Sequence, residues 1–243
     1  MSQLELFSKS LARELFKRVP TTDLTAADIR RGAHSIQLAN IIDDFSKSKL
    51  NLSIFELQDE SIDELLSLLK PFCYDKAKAP VICLDYLQIV PSSKESTKLG
   101  VDDSVRKLKK FQRDTNTTFI VISSFNRDNY KKPVSFESFK ESGNIEYTAD
   151  VVWALQLFVI NSINSFNISD ARQKIDKAKK QQPRQIQLKC LKNRQGTNYD
   201  CFFNYFSAHD CFIPCDKFNE TSNEHNEQQK DTTTKRKNKN GLI

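Results

Sequence analysis

Two short stretches constrain the fold of this chain more than any other feature. Residues 81–84, VICL, and 117–124, TTFIVISS, are apolar or β-branched at nearly every position. Strands covered on both faces read this way, whereas a strand with one wet face alternates. Between them lies VRKLKKFQRDT, a helical pattern with Val105, Leu108 and Phe111 on one side and basic residues on the other. Asp102, Asp103 and Ser104 are placed to start that helix, after a polar loop over 91–100. A third apolar run, VVWALQLFVI at 151–160, reads as another buried strand. Strand, helix and strand in this order predict an α/β domain with a mostly parallel sheet. Further on, IQLKCLKN and YDCFFNYF alternate around Gln195-Gly196, which predicts a closing antiparallel hairpin.

The first eighty residues read as helices. Leu4 to Val19 is a lead-in followed by an amphipathic helix, with Ser8 or Ser10 as cap, Leu11, Leu15 and Phe16 as its stripe, and Pro20 as its stop. Residues 21–48 hold two short helices, with Ala39, Ile41, Ile42 and Phe45 facing inward, and SIDELLSLL is a helix stopped by Pro71. Pro80 opens the first strand, and a charged loop runs over 126–140. Residues 161–185 read as a flexible polar insertion and 216–243 as a disordered basic tail, leaving 1–215 as one domain.

A chain of 243 residues can bury a substantial core. Its formal net charge of +6 points toward a polyanionic partner, or to nothing more than a solvated basic surface. The six cysteines do not form the framework of a small secreted domain, and a reducing cytosol is the simplest compartment. Cys201, His209, Cys211 and Cys215 are close enough in sequence to gather a metal, but they lack the CxxC pairs of structural zinc sites. No apolar run reaches the length of a membrane span.

The strand VICL runs directly into Asp85. In open α/β sheets, ligands sit beyond the carboxyl ends of the strands, and Ser123 and Ser124 close the next strand at the same edge. A carboxylate there suits hydrated Mg²⁺, as in nucleotide hydrolases, because the ion keeps several waters and needs few protein oxygens. The same pattern also arises when an aspartate merely caps a turn.

Four ordered words favour the first reading: LDYLQIV, VISSFNRDNY, FKESGNIEYTADVVWAL and LKNRQG. Together they resemble the RecA-like ATPase domain of DnaB-type replicative DNA helicases, over nearly the whole chain apart from the tail. The resemblance implies ATP and Mg²⁺ as cofactors, single-stranded DNA as partner, and a homo-oligomer that is a hexameric ring in the family. It makes Glu5, in LEL, the base that polarises the attacking water. Asp85 becomes the Mg²⁺ ligand, with Gln88 and Ser124 beside the nucleotide. The family often has a γ-phosphate-sensing Gln where this chain has Ser124, which reaches less far. Lys140, Glu141 and Gly143 match a loop that touches the strand backbone in the ring's channel. Arg127, Lys131 and Lys132 add positive potential, or are solvated loop charge. Lys192 and Arg194 match a hairpin that reaches a neighbour's nucleotide.

One family element is absent. The phosphate-cradling GxxxxGK[ST] does not occur, because none of the five glycines is followed by lysine. In the family that loop precedes the glutamate segment, so the chain is expected to start inside the fold, with an upstream P-loop-bearing polypeptide as the alternative partner to further copies of itself. Two expectations follow. One is a partial helicase motor that hydrolyses ATP poorly or not at all by itself. The other is a catalytically inactive RecA-like module that binds DNA or a helicase ring. A recombinase relative is a third option, against which the ESG and KNR words argue.

Overall fold

A computed structural model of the chain describes residues 2–48, 51–91, 96–126, 130–139, 143–163 and 168–218. Helix α1 (Gln3–Arg18) begins at Ser2, whose hydroxyl accepts from the Glu5 N–H at 3.2 Å. Ser8 and Ser10, expected as caps, lie inside the helix instead, and their hydroxyls donate back to the Leu4 and Leu6 carbonyls. Two further helices follow, α2 (Ala26–Arg30) and α3 (Ile36–Lys47). Leu11 and Leu15 of α1 meet Leu38 and Ile41 of α3 in one core, with Phe45 packed against it. The expected inward face of α3 is thus corrected: Ala39 and Ile42 are exposed, because the face that meets α1 runs through 38, 41 and 45.

A second core joins α4 (Ile62–Leu69), β1 (Val81–Leu84) and α5 (Thr97–Thr115) through Ile62, Leu65, Leu84, Leu87, Val101 and Leu108. Ser61 and Glu64 close α4 with a reciprocal capping box. Helix α5 begins one turn and more before the expected Asp102–Ser104. Ser96 caps it by accepting from the Leu99 N–H, and Gly100, Val101 and Ser104 are buried within it. It ends at Asn116, in the left-handed conformation with φ 58°.

Strand β2 (Thr118–Val121) pairs parallel with β1, from Val81 opposite Thr118 to Leu84 opposite Val121. Ile82, Leu84, Phe119 and Val121 pack on the helices. Val81, Cys83 and Ile120, on the opposite face, are exposed, so the two-sided burial that the sequence suggested is met on one side only.

After α6 (Gly143–Thr148), strand β3 (Val151–Leu157) does not extend the parallel pair. It opens a separate antiparallel sheet of order β3-β4-β5-β6, with β4 (Arg184–Asn193), β5 (Asp200–Phe206) and β6 (Cys211–Cys215). The third apolar run therefore divides. Its first part alternates, burying Val152, Ala154 and Gln156, and residues 158–162 form a 3₁₀ turn. The α/β class stands, but among the described residues the parallel part is two strands and the antiparallel part is four. The sequence reading missed β6, which carries Pro214 on an edge strand, where a missing N–H is tolerated. Within the expected insertion, residues 168–180 form α7 (Ile168–Lys180), which buries Ala171 and Ile175. Of the expected tail, residues from 219 onward lie outside the described residues.

Candidate nucleotide edge and hairpin

Asp85 follows β1 directly and is exposed, so no desolvation penalty attaches to its charge. Among the described residues, no hydrogen bond or ion pair engages its carboxylate. The Asp85–Tyr86 peptide bond is cis. The chain then makes a 3₁₀ turn, Leu87–Ile89, whose first residue returns to the sheet: Leu87 N–H donates to the Ile122 carbonyl, and Ile122 N–H to Leu84, both at 2.9 Å. Gln88 ties the two strand ends together. Its Nε2 donates to Ser123 Oγ at 2.7 Å, and its Oε1 accepts from the Ser124 N–H at 3.2 Å. Asp85, Gln88 and Ser124 are thus brought to one edge, with Ser123 as a fourth member that the sequence reading placed there without a role. Ser124 takes part through its backbone.

Glu5 sits in the first turn of α1, and its closest charged partner is Arg30, at 4.0 Å. No hydrogen bond or ion pair joins Glu5 to the Asp85 edge among the described residues.

The predicted hairpin residues are held in a second constellation. Lys192 Nζ donates to the Glu146 carbonyl at 2.6 Å, and Arg194 Nη2 to the Tyr147 carbonyl at 3.1 Å. Arg194 Nη1 pairs with Asp150 Oδ1 at 3.1 Å, and Lys109 with Asp150 Oδ2 at 2.5 Å. The hydrogen bond from Lys109 is the main reason that the Asp150 carboxyl lies below the usual carboxylate range, with the positive charges of Lys109, Arg194 and Lys192 adding to it against the opposing effect of burial. Lys109 and Asp150 are additions of the structure. Their only signal in the sequence is a lone acid before an apolar run and a lysine on the helix's basic side.

Of the expected DNA contacts, Arg127, Lys140 and Glu141 lie outside the described residues. Lys131 is half-buried and Lys132 exposed, and Gly143 opens α6. The segment bearing the two lysines is anchored at Val134, whose N–H donates to the buried Gln156 side chain at 3.0 Å and whose side chain packs with Phe139 and Val152. Among the described residues, no three His, Cys, Asp or Glu side chains gather as a metal site. His209 stacks on Phe16 with ring centroids 4.5 Å apart, and burial pushes the Cys211 thiol up. No described helix is long and apolar enough to cross a membrane.

The chain thus combines a parallel strand pair, an exposed acid and a bridging glutamine at its carboxyl edge, and an antiparallel sheet that follows; among solved structures this α/β arrangement is matched by RecA-like ATPase domains of helicases. Two solved structures share the fold: a DnaB-like replicative helicase studied with primase, and the ATPase domain of a second protein. Each superimposes with a TM-score of 0.67 at 19% identity over 89% of this chain, which is 49% of the first chain and 72% of the second. A probable replicative DNA helicase of Trieres chinensis is 28% identical over 165 residues, 65% of this chain and 36% of the relative. The chain thus spans about a third of the length of the curated relative that it matches. The DnaB-like helicase C-terminal domain profile matches residues 1–213, and the chain belongs to that family.

Proposed function

We propose that this chain is the motor portion of a replicative DNA helicase, with the phosphate-cradling loop supplied by residues outside these 243. The observation that carries the proposal is the edge where Asp85 stands unpaired among the described residues, beside a Gln88 that is already committed to Ser123 and Ser124. A lone accessible carboxylate suits Mg²⁺ that keeps its waters and is bound mainly through ATP phosphates. It does not suit a cation caged by protein. Asp85 would hold the hydrated ion, and Gln88 would keep the two strand ends in register when phosphates arrive. Ser124 would face the γ-phosphate from just beyond the end of β2. Glu5 would orient the attacking water. Arg194, with Lys192, would reach the nucleotide of a neighbouring copy in a hexameric ring, stabilising charge that develops on the transferred phosphoryl group. Arg127, Lys131, Lys132, Lys140, Glu141 and Gly143 would meet the single-stranded DNA, the cations taking its phosphates without reading bases. This setting is cytoplasmic.

The purified chain should show no Mg²⁺-dependent ATP turnover alone, and should gain it with a polypeptide carrying a strand and GxxxxGK[ST] loop. Asp85→Ala should abolish that gain. Turnover by the chain alone that Asp85→Ala removes would show the loop to be dispensable. A second reading is an inactive RecA-like module on DNA or a helicase ring. Failure of complementation, together with retained binding to single-stranded DNA, would select it.

A further inference from the structure

Arg194 is held at three points. Its backbone N–H donates to the Asp150 carbonyl at 2.9 Å. Its guanidinium donates to Asp150 Oδ1 and to the Tyr147 carbonyl, each at 3.1 Å. Tyr147 and Glu146 lie in the last turn of α6, where carbonyls lack helical partners and the helix dipole presents its negative end. Lys192 takes the Glu146 carbonyl at 2.6 Å, so both hairpin cations are seated on one helix end.

The restraints differ in how easily they are exchanged. The Arg194 side chain is 52% exposed and Asp150 47%, so water and dissolved anions reach the pair, and such pairs contribute little to stability. Asp150 keeps a second cation: Lys109, only 25% exposed, holds its other oxygen at 2.5 Å. Departure of the guanidinium therefore does not strand an uncompensated carboxylate. The backbone bond is independent of the side chain and keeps the start of the turn after β4 in place. A guanidinium presents parallel donors that fit phosphate oxygens as well as carboxylate oxygens, and phosphate carries more charge.

We propose that Asp150 is an exchangeable in-chain counter-ion for Arg194, holding the guanidinium against α6 until a polyphosphate presented by a neighbouring copy of the chain displaces it. This rests on the reading of Arg194 as the arginine that acts across a subunit boundary. Asp150 is then a positioning residue. It keeps the arginine ordered and masked in the unassembled chain, and the exchange moves one side chain while β4 stays still.

The test uses the full chain and inorganic tripolyphosphate at low ionic strength, with affinity read by calorimetry and the arginine side-chain N–H signals by NMR. Asp150→Asn should bind tripolyphosphate about 2- to 5-fold more tightly than the unsubstituted chain. Adding Arg194→Gln to that variant should remove the gain. A gain that survives in the double variant would come from overall charge and would overturn the proposal. If Arg194→Gln alone weakens binding while Asp150→Asn changes nothing, Arg194 is a phosphate ligand but Asp150 is not its counter-ion, and only this proposal fails. If Arg194→Gln alone has no effect, the subunit-boundary reading fails with it. Should Asp150→Asn not fold, the unsubstituted chain still decides: tripolyphosphate should shift the Arg194 guanidinium signals, and unshifted signals at saturation would overturn the exchange.

Discussion

Gln88 carries more of the candidate edge than the charged residue beside it. Its amide makes one hydrogen bond through each end, to Ser123 and to the Ser124 backbone, and it is half-buried. Gln88→Ala should therefore cost about 1–3 kcal/mol, the scale of leaving partly buried partners unsatisfied, read as a lower urea midpoint at unchanged slope. Asp150 gives a pH signature. Its carboxyl is held below the ordinary value by Lys109, then by Arg194 and Lys192. A lowered folded value means stability that is complete above the unfolded value, about 3.9, and lost as pH falls through the lower folded one. The stability difference between the unsubstituted chain and Asp150→Asn should hold steady above about pH 5 and shrink below about pH 4. A difference that instead grows on acidification would contradict the pairing.

At the scale of elements, the helices are largely legible in the sequence and their contacts are not. The apolar period of α4 is written locally, and the structure follows it, with Ser61 standing outside the helix as its cap. The stripe of α3 keeps Ile41 and Phe45 of the expected set but takes Leu38 in place of Ala39 and Ile42, since a run of apolar residues around Ile41 and Ile42 leaves the edge of the face open until α1 supplies a surface. Ile41 is fully buried in that α1–α3 core, so Ile41→Ala should destabilise the chain by about 2–5 kcal/mol in chemical denaturation. The same openness explains α5. An early start at Ser96 buries Gly100 and Val101, which local composition alone assigns to a polar loop and its end. It also explains α7, whose stretch reads as a flexible polar insertion until Ala171 and Ile175 find apolar cover.

At the scale of the whole molecule, apolar side chains stay exposed on one face of the parallel pair among the described residues. Val81 is 63% exposed, Ile120 47% and Ile122 51%. Parallel strands are ordinarily covered on both sides, and a contiguous exposed patch of this kind promotes association. Ile120→Lys should therefore reduce concentration-dependent association in sedimentation experiments without lowering the melting temperature. An unchanged association profile would show that this face is not responsible.

The sequence by itself determined that strands lie at VICL and within TTFIVISS, though the second stops at Val121, short of Ser123 and Ser124; it also determined that a helix joins them, that a hairpin turns at Gln195-Gly196, and that an acid stands at the end of VICL. Each is fixed by neighbours along the chain through side-chain period, capping and turn chemistry. Only the tertiary structure decided that Asp85 is exposed and unpaired among the described residues, that Gln88 closes the edge onto Ser123 and Ser124, and that Arg194 rests on Asp150, 44 residues away in sequence. It also decided that β3 joins an antiparallel sheet, because the strand's apolar run suits either sheet equally and only its hydrogen-bonding partner separates them.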